Sequence, residues 1–304
     1  MRTITMRTIT RSLTALVLAA LAAALIPSAA HADANANRGA AWLVRHSPVS
    51  GDGAAADTLL ALRATGRLTA GEARRLVTAL RRGAPRYATT AGATAKVILG
   101  LAAGGVGNPR CVNRLDLLRR LQGYGRRGRY GTTIFDHTLG MLAMSALRAG
   151  PPASTVRTLL AARGSGGWNF NMTARGGRRD DVTSTAMAIL AARAAGVSAR
   201  NRTLRAGLAW LRSQRAPTGG FAEGRRDRTE ANPTALAIQA QRAMGIRDGR
   251  AIRALRTLQQ GDGSFRFTRT ESGSRLLATI DAVTALSGKR LPVVQVRRRP
   301  GGCR

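Results

Sequence analysis

Two textures of helix alternate along the chain. One is polar with apolar residues at helical spacing, as at Leu76, Ala79 and Leu80 behind the capping box Thr69-Ala70-Gly71-Glu72. The other is built from Ala, Leu and other small residues and stops at glycine. Closing glycines fall at 66, 105, 150, 196, 245 and 288, a period of 39 to 49 residues. With them as a ruler, Thr94, Thr185 and Thr234 each stand 11 residues before a glycine, and Asp181 and Glu230 stand 15 before. The pattern predicts six helical hairpins. The polar helices are expected at Ala40 to Arg45, from Thr69, at Val112 to Leu121, at Ser154 to Ala162, from Asn201 and at Arg250 to Gln259. The small-residue helices are expected at 54–65, 91–104, 138–149, 183–195, 232–244 and 276–287.

Each hairpin can hide its apolar face only against its neighbours, so the array is expected to merge into one domain over 33–288. Residues 1–32 read as a signal peptide: Arg2, Arg7 and Arg11 precede an apolar core, Leu13 to Ile26, and a small-residue cleavage site, Ala30-His31-Ala32. The mature product is expected to be secreted, extracellular or periplasmic, and monomeric. A basic tail occupies 289–304. The two cysteines, Cys111 and Cys303, are the minimum for one disulfide in an exported chain, and that pairing is expected to tie the tail to the third hairpin.

The net charge of +34 is almost all arginine, because Lys96 and Lys289 are the only lysines. Such a balance suits an anionic partner such as a cell-wall polymer. The arginines are scattered over every repeat instead of forming a stripe with interleaved aromatics, which matches coding bias toward Ala, Gly and Arg and gives no sign of specific nucleic-acid binding.

In the loops between helices stand Gly166-Gly167-Trp168, Gly219-Gly220-Phe221 and Gln259-x-x-x-Gly263-x-Phe265. The last resembles the Gln-Trp repeat of the squalene cyclase and protein prenyltransferase superfamily, with Phe in place of Trp, and Gln214 to Phe221 is a copy with one extra residue. The resemblance is strong from about Ser154 to Gly288 and weaker before. It implies an all-α fold, an α6/α6 toroid with inner helices ringing a central cavity, and glycine-rich loops whose aromatics, Trp168, Phe170, Phe221 and Phe265, plug the gaps between hairpins or stack on a ligand.

The chemistry of that superfamily is only partly present. Bacterial squalene-type cyclases protonate their substrate from Asp-Val-Asp-Asp-Thr-Ala; Asp181-Val182-Thr183-Ser184-Thr185-Ala186 is similar except at the two central acids. An alkene is a feeble base, so that loss is serious. The expected inner helices carry no Phe, Tyr or Trp to shield a carbocation, which predicts an aliphatic wall. No set of His, Cys and Asp has metal-ligand spacing, and no cofactor is expected.

Asp136, Asp181 and Glu230, with His137, fall at or near the starts of inner helices and are the candidate ligand-binding residues at the cavity rim. Helix capping explains the acids equally well. The expected function is a non-catalytic toroid binding a hydrophobic or amphipathic, isoprenoid-like small molecule. A terpene cyclase-like isomerase or lyase with a relocated acid, and a cell-wall-associated structural protein held through its arginines, are the alternatives.

Overall fold

In the computed structural model the chain is described at residues 33–47, 50–174, 179–224 and 227–303; the expected signal segment 1–32 lies outside them. Among the described residues it forms twelve α-helices and four two-residue strands. The polar series is α1 Ala34–His46, α3 Ala70–Tyr87, α5 Leu117–Gly123, α7 Ala153–Ala161, α9 Arg202–Ser213 and α11 Gly249–Arg256. The small-residue series is α2 Gly53–Thr65, α4 Ala91–Ala103, α6 Ile134–Ala146, α8 Val182–Ala194, α10 Ala231–Ala243 and α12 Arg275–Leu286.

All six ruler glycines sit in the left-handed region, with φ from +66° to +88°. That conformation ends a helix and costs glycine least. At the other end, hydroxyl and carboxylate side chains cap first turns: Asp52 accepts from Ala54 N, Thr90 from Ala93 N, Asp181 from Ser184 N and Ser274 from Leu277 N.

Packing follows from texture. The small-residue helices are buried nearly all round, and small side chains let their backbones lie close. Each packs on the next in chain order, and α12 returns to α2. The amphipathic series lies against them: α3 touches α2 and α4, α5 touches α4, α7 and α9 touch α8, and α11 touches α10. The first helix, α1, packs on both α2 and α12.

Close approaches require glycine at several positions, two of which join neighbouring elements. Gly51 and Gly83 press backbone to backbone where the loop before α2 meets α3, so a Cβ on Gly83 would lie 2.0 Å from the Gly51 oxygen. A Cβ on Gly207 of α9 would lie 2.4 Å from the ring of Trp168.

Three arginines placed before the closing glycines reach the end of a neighbouring helix. Arg63 Nε donates to Ala103 O at 2.6 Å, Arg193 Nε to Ala243 O at 2.9 Å, and Arg242 Nη1 to Gly288 O at 2.8 Å. Each cation thus reaches the negative end of the next helix in the inner series.

The third hairpin departs from expectation. Helix α5 begins at Leu117, not Val112, because Asn113 turns the chain at φ +52° and Asp116 caps the helix. The residues before it form the strand pair Cys111–Val112 with Leu115–Asp116, and those after it the pair Gly125–Arg126 with Arg129–Tyr130, where no strand was expected. Helix α6 starts at Ile134 instead of 138, because Thr133 and Asp136 form a reciprocal cap: Asp136 N donates to Thr133 Oγ1 at 3.1 Å and Thr133 Oγ1 to Asp136 Oδ2 at 3.0 Å.

The tail beyond α12 is docked. Val296 N donates to Ala146 O at the end of α6 at 2.9 Å, Arg148 Nη1 to Arg297 O at 3.2 Å, and Cys303 is disulfide-bonded to Cys111.

Candidate functional site

The inner helices surround a cavity of about 230 Å³. Its wall is aliphatic over most of its extent, with Leu60, Leu99, Leu139, Met187, Leu236 and Ile280. Leu291 from the docked tail closes part of it, and Leu277, 45% exposed, marks an opening at the start of α12. The early start of α6 corrects the expectation of a wall without aromatics, because Phe135 lies in its first turn and lines the cavity.

Four inner helices contribute polar groups to this apolar wall. Lys96 of α4 pairs with Asp57 of α2 at 2.5 Å, and Asn232 of α10 donates to Asp281 Oδ2 of α12 at 2.6 Å. Burial pushes Asp281 up to about 6; the hydrogen bond from Asn232 opposes the shift, the charge of Asp57 adds to it, and Lys96 opposes it. For Lys96 burial works to lower the pKa, but the charge and hydrogen bond of Asp57 outweigh it and the pKa rises, so its ammonium stays charged. Gln239, two turns beyond Asn232 on α10, also lines the cavity; it is 1% exposed and its amide oxygen has no hydrogen-bond partner.

Sequence reasoning passed over all five of these residues. The available signal was compositional: Lys96 is one of two lysines in an arginine-rich chain, and Asp57 and Asp281 are the single acids of helices made mostly of small and apolar residues.

The structure does not gather the four expected rim residues around this cavity. The Asp136 carboxylate accepts from the Thr133 hydroxyl at 3.0 Å and from Gly92 N at the start of α4 at 2.9 Å. His137 is fully buried: Nδ1 accepts from Tyr130 N at 3.1 Å, so the proton sits on Nε2, which faces Thr155 O at 3.2 Å. Burial lowers its pKa to about 4 and keeps it neutral. Glu230 is buried, takes Glu223 N at 3.0 Å on Oε2, and pairs with Arg228 at 3.0 Å. All three are spoken for by the protein's own backbone and side chains.

Asp181 alone lines an open surface recess, with Phe135, Phe170, Thr183, Ser184 and Glu223. Glu223, from the loop before α10, accepts from Thr183 N at 2.6 Å and from the Thr183 hydroxyl. Burial raises both carboxyls; hydrogen bonds from Ser184 and Thr183 counter it at Asp181, and Thr183 counters it at Glu223, where the charge of Asp181 adds. A carboxyl from the neighbouring repeat therefore occupies the helix mouth where Thr183 and Ser184 carry none. Phe135 touches both the recess and the central cavity.

The loop aromatics Trp168, Phe221 and Phe265 are fully buried. Each donates its backbone N–H at 2.9 Å to a threonine hydroxyl, of Thr185, Thr234 and Thr279 in turn. Phe170 differs: it is 38% exposed and lies 6.0 Å from the ring of Phe135. Gln259 of the Gln-Trp-like segment donates to Asn35 O at 2.9 Å and Gly263 O at 3.0 Å, fastening its loop to α1. Among the described residues no group of three or more His, Cys, Asp or Glu could hold a metal ion, and no helix is long and apolar enough to cross a membrane.

No protein-family model matches the chain, and no curated protein does. Solved structures do. The type II terpene cyclase MstE from Scytonema is similar with a TM-score of 0.62 at 14% identity, over 83% of this chain and 96% of that one. A second structure of MstE has a TM-score of 0.59 at the same identity, over 84% and 95%. A glycosidase has a TM-score of 0.53 at 14% identity, over 83% and 95%. At this identity the likeness establishes the fold alone: the chain is a mostly helical protein with a terpene cyclase-like α/α arrangement.

Proposed function

We propose that the chain is an exported α6/α6 toroid of six helical hairpins that holds a small hydrophobic or amphipathic molecule in its central cavity and does not turn it over. The observation that carries this reading is the cavity wall itself, aliphatic nearly all round with one convergent polar group, Asp57, Lys96, Asn232 and Asp281. That is the composition of a small-molecule site. Its 230 Å³ lies below the roughly 300 Å³ at which pockets for drug-sized ligands begin, so the ligand is compact, well short of a squalene-length chain.

The cyclase alternative is less well supported. Alkene protonation calls for a strong, positioned acid. Asp281, held up to about 6 by burial, is a weak one, and Thr183 and Ser184 supply no acid at the motif. Phe135 is the only aromatic face among the residues lining the cavity.

Native mass spectrometry of the protein from its own host, beside a Leu236→Phe variant that fills the cavity, tests the reading. A small ligand retained by the parent and lost from the variant is expected. A cavity found empty in both, or a ligand converted to a new product on incubation, would overturn it.

A further inference from the structure

The polar lining of the cavity is unbalanced, and the imbalance says what kind of head group would complete it. Lys96 and Asp57 satisfy each other's charge at 2.5 Å. Among the described residues Asp281 makes no ion pair of its own, although the Lys96 charge reaches it. Its one hydrogen-bond donor among the described residues is the neutral amide of Asn232, at 2.6 Å on Oδ2, and the residue lines the cavity. Gln239 adds a second acceptor without a donor, its amide oxygen, although the residue is almost wholly buried. A carboxylate with a single neutral donor and a buried amide oxygen with none leave this wall richer in acceptors than in donors.

The charge balance agrees. With all three groups ionised, Asp57, Lys96 and Asp281 leave this wall one negative charge, inside a chain whose net charge is +34. Burial already works against the Asp281 carboxylate, and a cation beside it would offset that penalty as a charge-assisted hydrogen bond. A metal ion does not suit the site, because among the described residues no group of three or more His, Cys, Asp or Glu could hold one. An anion would have to take Lys96 from Asp57 and sit against Asp281.

We propose that the cavity takes a small monocationic amine, its ammonium on the Asp281 carboxylate and its hydrocarbon body against Leu99, Leu236 and Ile280. This rests on the reading of the cavity as a small-molecule site and names the chemical class of its ligand.

Three compounds with the same cyclohexyl ring separate the possibilities by calorimetry at neutral pH: cyclohexylamine, cyclohexanol and cyclohexanecarboxylate. The amine is expected to bind at least tenfold more tightly than either of the others, and Asp281→Asn to remove that preference. Should Asp281→Asn fail to fold, the ranking of the three probes on the unaltered protein decides alone. Equal binding of amine and alcohol would overturn the amine assignment and leave the cavity reading standing, and tighter binding of the carboxylate would do the same in favour of Lys96. If none of the three binds, and Leu236→Phe changes nothing, the cavity reading fails and the amine assignment with it.

Discussion

Tyr130 donates its backbone N–H to Nδ1 of His137 across 3.1 Å, in the place where Trp168, Phe221 and Phe265 donate theirs to threonine hydroxyls. The histidine is therefore the third hairpin's version of a repeated fastening between an aromatic loop and an inner helix. Neutrality is the condition for the bond, since a protonated ring has no lone pair on Nδ1.

That condition predicts an acid limit. The folded ring titrates at about 4, the unfolded one near 6.5, so between these values the unfolded state binds the extra proton. The stabilisation is complete above about 6.5 and is lost as the pH falls toward 4, to the extent of ~3 kcal/mol. In His137→Thr the hydroxyl keeps an acceptor for Tyr130 without a titrating group. Denaturant unfolding at pH 7 and pH 4.5 should show the parent losing more stability than this variant; equal losses would count against the assignment.

The threonine version makes a second prediction. Thr185→Val keeps the shape but leaves the buried Trp168 N–H without its acceptor, 2.9 Å away in the parent. The expected cost is about 1–3 kcal/mol, read as a lower midpoint in urea with an unchanged slope.

Reducing Cys111–Cys303 opens a loop spanning a sequence separation of 192. In the chain-entropy model the link is worth ~5 kcal/mol, so the reduced protein should melt well below the oxidised form. Because Leu291 lines the cavity and the tail holds Ala146, ligand affinity should fall as well. Thermal unfolding with and without reductant measures the first effect, and calorimetric binding of cyclohexylamine to the two forms the second.

The arginine excess predicts nonspecific, salt-sensitive adhesion to anionic polymer, since screened charges and released counterions weaken binding as salt rises. Retention on an anionic matrix should drop steeply between low and high salt. Retention that hardly changed would require a specific contact instead.

The glycine ruler made the ends of the inner helices legible, because a left-handed terminus demands a particular residue at a particular place. The third hairpin was less legible. Asn113 and the Thr133–Asp136 cap are local hydrogen-bonding choices that override helix periodicity over a few residues. The site was the least legible, for a physical reason. An amphipathic helix such as α9 announces which side faces in, whereas α4 and α12 are apolar on nearly every side and give their sequence no phase. Nothing in the pattern shows that Lys96, Asp57 and Asp281 turn to the same interior point, while the acids at helix starts, Asp136 and Glu230, drew notice and proved to be fasteners.

Because α12 packs back on α2 and α1 lies across both, the array has no terminal member. An open stack of repeats frays from its outermost units, each of which has a neighbour on only one side. In this molecule every inner helix has a neighbour on both sides, so no unit is first to peel away. Melting should be cooperative over 33–303, and a single cut in a surface turn such as 197–201 should leave the two fragments assembled, with the junction between chain ends serving as one more ordinary contact in the circle.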